Sequence, residues 1–236
     1  MARPRYPRSE GPLPPPLPPA TRTVGQLVAE TIRLYGRRFW LVLPLGLSVA
    51  ALDEVAFGRD LNAGTVLIWT FGPLLTLSFV AAAAIAGGVR LTFRSALVAF
   101  GIGILVFLPF PVLFRLFVLP GLALFAFYGL AVPAAVIERL PPRAAFRRGS
   151  QLGKADFVHA LGSLSTLAIV YFLSRTVLLL LLRGQGEATE RVAGFLADLV
   201  LSPLLFLGAA LLYFDQAARV GLPRGRRSVR SSSDGR

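Results

Sequence analysis

Long apolar runs alternate with short polar segments along the whole chain, and this alternation is its dominant pattern. A helix needs about 20 mostly apolar residues to cross the hydrocarbon core of a bilayer. Runs near that length predict six spans, at residues 39–56, 65–88, 97–120, 122–137, 158–182 and 192–214. The pattern therefore predicts an all-α protein, a polytopic membrane helical bundle of about six transmembrane helices.

The boundary between the third and fourth predicted spans rests on a single turn signal. Pro120 and Gly121 are the only such signal before Ile137, so we expect a tight break there. The break leaves a fourth span of roughly 24 Å at 1.5 Å per residue. The alternative is that residues 97–137 form one bent or re-entrant segment.

Two polar segments outside the spans have helical periodicity, which predicts short amphipathic interfacial helices. Thr23 can cap the first of them, which extends to Tyr35. We expect this helix to lie in the plane of the lipid headgroups. The second follows the turn at Pro142 and covers residues 143–153.

The two ends of the chain have compositions that do not support a packed core. Residues 1–22 are rich in proline and arginine, and residues 219–236 are rich in arginine and serine. Such segments favour extended, solvated backbone, so we expect both to be disordered. They flank one membrane domain, which we place at residues 23–218.

The formal net charge is +13, and the basic residues lie mostly in the tails and between the apolar runs. Membrane proteins concentrate arginine and lysine on the cytoplasmic side, which explains this excess without nucleic acid as a partner. The basic segments are both tails, Arg90 with Arg94, and residues 139–154, and they alternate with acidic, short or neutral connections. We therefore predict a multi-pass protein of the cell membrane with both termini in the cytoplasm.

The central basic segment is a candidate surface for anionic lipid headgroups. Its cations are Arg139, Arg143, Arg147, Arg148 and Lys154. Each cation near an anionic leaflet contributes about 1 kcal/mol of attraction. Membrane lipids are therefore the partner that the sequence predicts.

Charged residues inside spans are costly and need a partner or a water-filled cavity. Arg175 lies near the end of the fifth predicted span and Asp198 near the start of the sixth, both at a depth of roughly 10 Å. Neighbouring antiparallel helices would bring them to one level, so we predict an ion pair that fixes helix register. Two alternatives stay open: a site for a substrate or proton, and an Arg175 side chain that extends to the interface.

Two more charged residues near span ends have several candidate partners. Arg115 can extend to the interface or pair with Asp53 or Glu54. Asp215 can pair with Arg219 at helical spacing or with an arginine of the central basic segment.

The residues that usually carry chemistry are scarce. The chain has no cysteine and a single histidine, His159, which excludes a thiolate nucleophile and a multi-histidine metal site. The sequence also has no nucleotide-binding loop and no serine-hydrolase motif. We expect Glu138 and His159 to be satisfied residues at span boundaries. The sequence therefore predicts no catalytic residue, no cofactor and no metal.

Four short segments, taken in their order along the chain, resemble the membrane domain of glycerophosphoryl diester phosphodiesterase and the six-span bacterial proteins related to it. They are LPGLALF at 119–125, PAAVIE at 133–138, AFRRGSQLGK at 145–154 and LLYFDQAAR around Asp215. The chain departs from the family pattern at Phe127, where the family often has an arginine. The resemblance implies a six-span membrane domain. It does not imply hydrolysis, because the namesake's soluble barrel, of some 250 residues, has no counterpart in this sequence.

Two main functional hypotheses follow. The first is a non-enzymatic integral membrane protein that serves as a scaffold, an assembly factor or a lipid-interacting factor. The alternative is a transporter of a small solute or lipid, with a polar intramembrane site near Arg175 and Asp198. A polar cavity that reaches the membrane midplane would favour the transporter. An intramembrane enzyme is a third reading, for which Glu138, Asp198 and His159 are the candidate groups.

Overall fold

The computed structural model describes residues 18–57, 61–109, 112–113 and 118–221, and all regular secondary structure in this part of the chain is helical. We label the α-helices α1 (Val24–Arg37), α2 (Phe39–Val42), α3 (Leu47–Ala56), α4 (Leu61–Gly87), α5 (Phe93–Phe107), α6 (Val118–Leu124), α7 (Ala131–Ile137), α8 (Pro142–Ala155), α9 (Phe157–Leu181) and α10 (Glu187–Gly221). Short 3₁₀ turns lie at Pro19–Thr21 and Leu43–Gly46, and a π-helical segment, Phe125–Gly129, joins α6 to α7. The predicted all-α class is confirmed.

Five helical segments of the described chain are long and apolar enough to cross a membrane. They are Phe39–Ala56, Val66–Gly87, Leu119–Ile137, Phe157–Leu181 and Glu187–Gly221. Helix α5 is also apolar but has 15 residues. At 1.5 Å per residue it is about 22 Å long, shorter than the hydrocarbon core of a bilayer. The protein is therefore a multi-pass membrane protein in which five of the six predicted spans reach full length.

The third predicted span is the one that differs. Helix α5 ends at Phe107, so the span is not one continuous helix. The break expected at Pro120 and Gly121 is wrong, because both residues lie inside the helical segment from Leu119 to Ile137. Proline is tolerated in the first turn of a helix, where an N–H would have no partner within the helix. The fourth span is therefore longer than predicted.

Helix α1 begins where the sequence predicts. The N–H of Gln26 donates to the Thr23 hydroxyl, and the N–H of Thr23 donates to the Gln26 side chain. Its apolar face packs on α9 and α10, and its placement in the plane of the lipid headgroups stays a prediction. Leu27 is fully buried there, and the Tyr35 hydroxyl donates to the Val200 carbonyl at 3.0 Å. Helix α1 is thus part of the bundle.

Helix α8 carries most of the central basic segment and packs closely on the π-helical segment and α7. Gly149 and Gly153 face this contact one turn apart. A Cβ atom added at Gly149 would lie 2.6 Å from the Ala131 nitrogen, and one added at Gly153 would lie 2.9 Å from Phe127 Cα. The small-residue spacing therefore allows two backbones to approach each other. The surface helix predicted at residues 143–153 is confirmed.

Helix α10 is the centre of the bundle. Its 35 residues pack against α1, α3, α4, α8 and α9. Just before α3 begins, the backbone at Gly46 approaches α10 so closely that an added Cβ would lie 2.1 Å from the Leu199 carbonyl oxygen. Because α10 extends to Gly221, Arg219 lies in its last turn and not in a disordered tail. We call the end formed by α8, the start of α9 and the end of α10 the basic end, and the end formed by Ala56, Leu181 and Glu187 the far end.

Candidate functional site

A cluster of polar side chains lies at the far end, where α3, α9 and α10 meet. Arg175 contacts two carboxylates, with its Nε 2.9 Å from Asp198 Oδ1 and its Nη2 2.5 Å from Asp53 Oδ2. The Tyr171 hydroxyl donates to Asp198 Oδ1 at 2.5 Å. The structure thus contains the ion pair expected from the sequence and adds two residues to it. We call Asp53, Tyr171, Arg175 and Asp198 the far-end cluster.

The members of the far-end cluster differ in burial. The Asp198 side chain is fully buried, whereas 23% of Arg175 and 40% of Asp53 are exposed. Among the described residues, Asp198 Oδ2 has no hydrogen-bond partner. A buried carboxylate is costly unless it is paired, so the contact with Arg175 offsets the desolvation of Asp198. Arg175 therefore does not extend freely to the interface.

Sequence reasoning found half of this cluster. It matched the depths of Arg175 and Asp198, but it gave Asp53, near the end of the first predicted span, only Arg115 as a candidate partner. Helix α3 continues to Ala56, which keeps Asp53 on a helix that contacts α9. The i, i+4 spacing of Tyr171 and Arg175 is the signal that could have identified the tyrosine. Arg115 lies outside the described residues.

A second ion pair borders the far-end cluster. Arg191 of α10 contacts Glu54 of α3, and its guanidinium lies 5.2 Å from the centre of the Phe57 ring. The Arg191 side chain is 43% exposed and the Glu54 side chain is 37% exposed. Exposed ion pairs contribute only about 0–1 kcal/mol to stability. The pair neutralises Glu54. Because Arg191 is engaged by Glu54, the far-end cluster contains two carboxylates and only one guanidinium among the described residues.

An apolar cavity of about 320 Å³ lies between the helices beside the far-end cluster. Side chains from α3, α4, α5, α6, the π-helical segment, α9 and α10 form its wall. One side is aromatic, with the rings of Phe79, Phe107 and Phe125 in mutual contact. Of the described lining residues, Tyr171 alone has a polar group, and its hydroxyl donates to Asp198. The cavity therefore suits an apolar group.

An opening of about 220 Å³ adjoins this cavity, and Asp53 is one of its lining residues. Val49, Leu52 and Ile68 line both the cavity and the opening. On another side, the wall includes Phe172, whose side chain is 48% exposed on the membrane-spanning surface. The cavity is therefore accessible from outside the bundle, and Asp53 lies at its mouth.

The basic end has a buried polar network that differs from expectation. Asp215 is fully buried and pairs with Arg22 at 2.7 Å, not with Arg219 or a central arginine. Arg219 turns towards the start of α9, where it contacts Asp156 at 2.5 Å and donates to the Arg22 carbonyl at 2.9 Å. His159 Nε2 lies 3.7 Å from Asp215 Oδ2. The network joins both ends of the described chain, a contact that no local sequence pattern contains.

The central basic segment is partly engaged with the protein. Glu138 accepts a hydrogen bond from Arg148 at 2.9 Å and another from Tyr213, so it is a satisfied carboxylate as expected. Lys154 lies 5.6 Å above the ring of Phe127. The other cations of the segment, which form no ion pair within the described residues, are Arg139, Arg143 and Arg147. Lipid binding by this segment stays a prediction.

Two further findings concern possible metal ligands and similarity to known proteins. Over the described ranges, no group of three or more His, Asp or Glu side chains is placed to hold a metal ion. No family model, no curated protein and no solved structure matches the sequence. The function therefore has to be argued from the geometry of the bundle.

Proposed function

We propose that this protein is a non-enzymatic membrane protein that binds a membrane lipid between its helices. The observation that carries the proposal is the apolar cavity beside the far-end cluster. Its volume falls within the range of about 300–1,000 Å³ that is typical of small-molecule sites. Water needs several polar partners in a cavity, and among the described residues of this wall Tyr171 alone offers one. Hydrocarbon chains fit such a wall, and in a bilayer they surround the protein.

The alternative predicted from the sequence, a transporter of a small polar solute, receives less support. Polar intramembrane sites face the bundle interior or a water-filled cavity and present free polar groups. Here Arg175 is bonded to Asp53 and Asp198, and the cavity beside them is apolar. A transporter of lipid would use the same cavity, so that part of the alternative is compatible with the proposal.

We also propose that the protein lies in the cytoplasmic membrane with its basic end, and therefore both termini, in the cytoplasm. The support is the positive-inside rule, because Arg22, Arg219 and the central basic segment lie at this end. The unpaired arginines of the central basic segment would then face anionic headgroups, at about 1 kcal/mol each. A reporter fused at Gly186, in the far-end loop, is expected to lie outside the cytoplasm. A cytoplasmic signal from that fusion would contradict the orientation.

A relationship to the membrane domain of glycerophosphoryl diester phosphodiesterase remains part of the proposal, and it rests on the four quoted motifs. Three of these motifs fall on elements that touch each other. LPGLALF and PAAVIE belong to the helical segment at 119–137, and AFRRGSQLGK belongs to α8, which packs on it. Motifs that contact each other in the folded chain support a packing arrangement that is shared with this family. Such a likeness concerns the fold and not the activity.

The lipid-binding proposal can be tested by purifying the protein in detergent and measuring retained lipid by native mass spectrometry. Ala168 lines the cavity, so Ala168→Phe should fill part of it and lower the amount of retained lipid. Ile169→Phe is the matched control, because Ile169 is 61% exposed on the outer surface of the same helix. Equal lipid retention by the wild type and Ala168→Phe would contradict the proposal, as would a wild type that retains no lipid.

A further inference from the structure

Resting on the proposed lipid-binding function, we infer that the far-end cluster selects lipids that carry a primary ammonium headgroup. One hydrocarbon chain of such an aminophospholipid occupies the cavity, and its ammonium group lies at Asp53. The inference concerns the headgroup, whereas the proposed function concerns only the hydrocarbon chain. Three observations carry it.

The first observation is the position of the polar groups relative to the cavity. Asp53 lines the opening that shares Val49, Leu52 and Ile68 with the apolar cavity. A ligand whose chain lies in the cavity therefore places its other end beside this carboxylate. The Asp53 side chain is 40% exposed, so it is accessible without opening the bundle. This arrangement matches an amphipathic ligand with an apolar chain and a polar head.

The second observation is the charge of the cluster. Asp53 and Asp198 share the single guanidinium of Arg175, and the nearby Arg191 contacts Glu54. Within the described residues, this arrangement leaves one negative charge uncompensated. Electrostatic complementarity disfavours juxtaposing like charges, so the surplus negative charge favours a cationic group over a phosphate alone. The cluster therefore favours an ammonium group over an anionic headgroup.

The third observation is an unfilled hydrogen-bond acceptor. Asp198 is fully buried, and its Oδ2 has no hydrogen-bond partner among the described residues. Gly194, which has no side chain, lies beside the contact between Arg175 and Asp53: an added Cβ would be 3.8 Å from Asp53 Oδ2 and 3.9 Å from Arg175 Nη2. Small groups therefore have room next to the ion pair. A primary ammonium has three N–H donors, whereas a trimethylated ammonium has none.

The test reconstitutes the full chain in nanodiscs with equal amounts of phosphatidylethanolamine, phosphatidylcholine and phosphatidylglycerol that carry identical acyl chains. Native mass spectrometry after detergent extraction measures the ratio of the lipids that stay bound. We expect the ethanolamine lipid to exceed the other two by about tenfold, the ratio set by one charge-assisted hydrogen bond. Asp53→Asn should reduce this ratio to near one while lipid stays bound. The double variant Glu54→Gln with Arg191→Gln, which removes the neighbouring ion pair outside the cavity and keeps the net charge of the far end, should leave the ratio unchanged.

The outcomes separate the two proposals. If lipid stays bound to the wild type without preference among the three headgroups, the headgroup inference is wrong and the lipid-binding function stands. A preference for phosphatidylglycerol would also overturn the inference. If no lipid stays bound, the proposed function itself fails. Should Asp53→Asn not fold, the wild-type comparison of ethanolamine with choline still decides, because these lipids carry the same charge and differ only in the replacement of three N–H hydrogens by methyl groups.

Discussion

Replacing Arg175 by alanine should destabilise the protein far more than replacing Arg191 by alanine. Both arginines lie at the far end, and both contact carboxylates of α3. The two variants differ in the carboxylate that loses its partner. Arg175→Ala leaves the fully buried Asp198 without its counter-ion, whereas Arg191→Ala leaves only the exposed Glu54.

The expected magnitudes follow from this difference in burial. Breaking a buried pair by removing one partner costs about 3–5 kcal/mol, because an uncompensated charge stays in a poorly solvated site. An exposed pair is worth about 0–1 kcal/mol. Part of Arg175 is exposed, which admits some solvent and places its loss near the lower limit of the buried range. We therefore expect a difference of about 2–3 kcal/mol between the two variants.

Reversible unfolding in mixed micelles measures the free energy of unfolding of each variant. The double variant Arg175→Ala with Asp198→Asn provides an internal check. An asparagine oxygen still accepts the hydrogen bond from Tyr171 but carries no charge, so the double variant should regain about 1 kcal/mol or more. The reasoning would be refuted if Arg175→Ala cost no more than Arg191→Ala, or if the double variant were no more stable than the single one.

Three further predictions concern backbone contacts and a helix cap. Gly46→Ala should destabilise by about 1–3 kcal/mol, because its Cβ would overlap the Leu199 carbonyl oxygen at 2.1 Å. Gly149→Ala should cost a similar amount, about 1–3 kcal/mol, since its Cβ would lie 2.6 Å from a backbone nitrogen of α7. Thr23→Ala removes the cap of α1 and should cost about 0.5–2 kcal/mol. Melting temperatures in detergent test all three, with Gly101→Ala as the control for added volume, since nothing lies within 4 Å of its Cβ.

Each of these three predictions would be contradicted by its own result. Equal melting temperatures for Gly46→Ala and Gly101→Ala would show that the approach of α10 to the start of α3 is looser than described. A neutral Gly149→Ala would do the same for the contact of α8 with α7. For Thr23, Thr23→Ser is the conservative variant, because serine caps at least as well as threonine. If the serine variant lost as much stability as the alanine variant, the capping explanation would be wrong.

Much of the fold could be predicted from the sequence because it depends on local composition. The first predicted span, 39–56, coincides with the structure, and the fifth differs by one residue at each end. The prediction failed where a local signal was ambiguous. Pro120 with Gly121 can end a helix or lie in a first turn, and only the surrounding chain decides between these outcomes. The π-helical segment that follows has no sequence signature of its own.

The candidate site was only partly predictable. Depth within a span can be counted along the chain, which is why Arg175 and Asp198 could be matched. Asp53 is 122 residues from Arg175, and its contact depends on how α3 turns around its axis. The same holds for Arg22 and Asp215, which are 193 residues apart. A helical pattern says which residues share a face, but it does not say which neighbour that face meets.

By itself, the sequence determined that this is a helical membrane protein, where most of its spans lie, how α1 is capped, and that two opposite charges lie at one depth. These features follow from apolar run length, side-chain hydrogen-bonding capacity and the rise per residue of a helix. The tertiary structure decided the rest: the recruitment of Asp53 and Tyr171 and the existence of an apolar cavity. Those depend on how closely helices approach, as at Gly46 and Leu199, and close packing is a property of pairs of surfaces and not of any one segment.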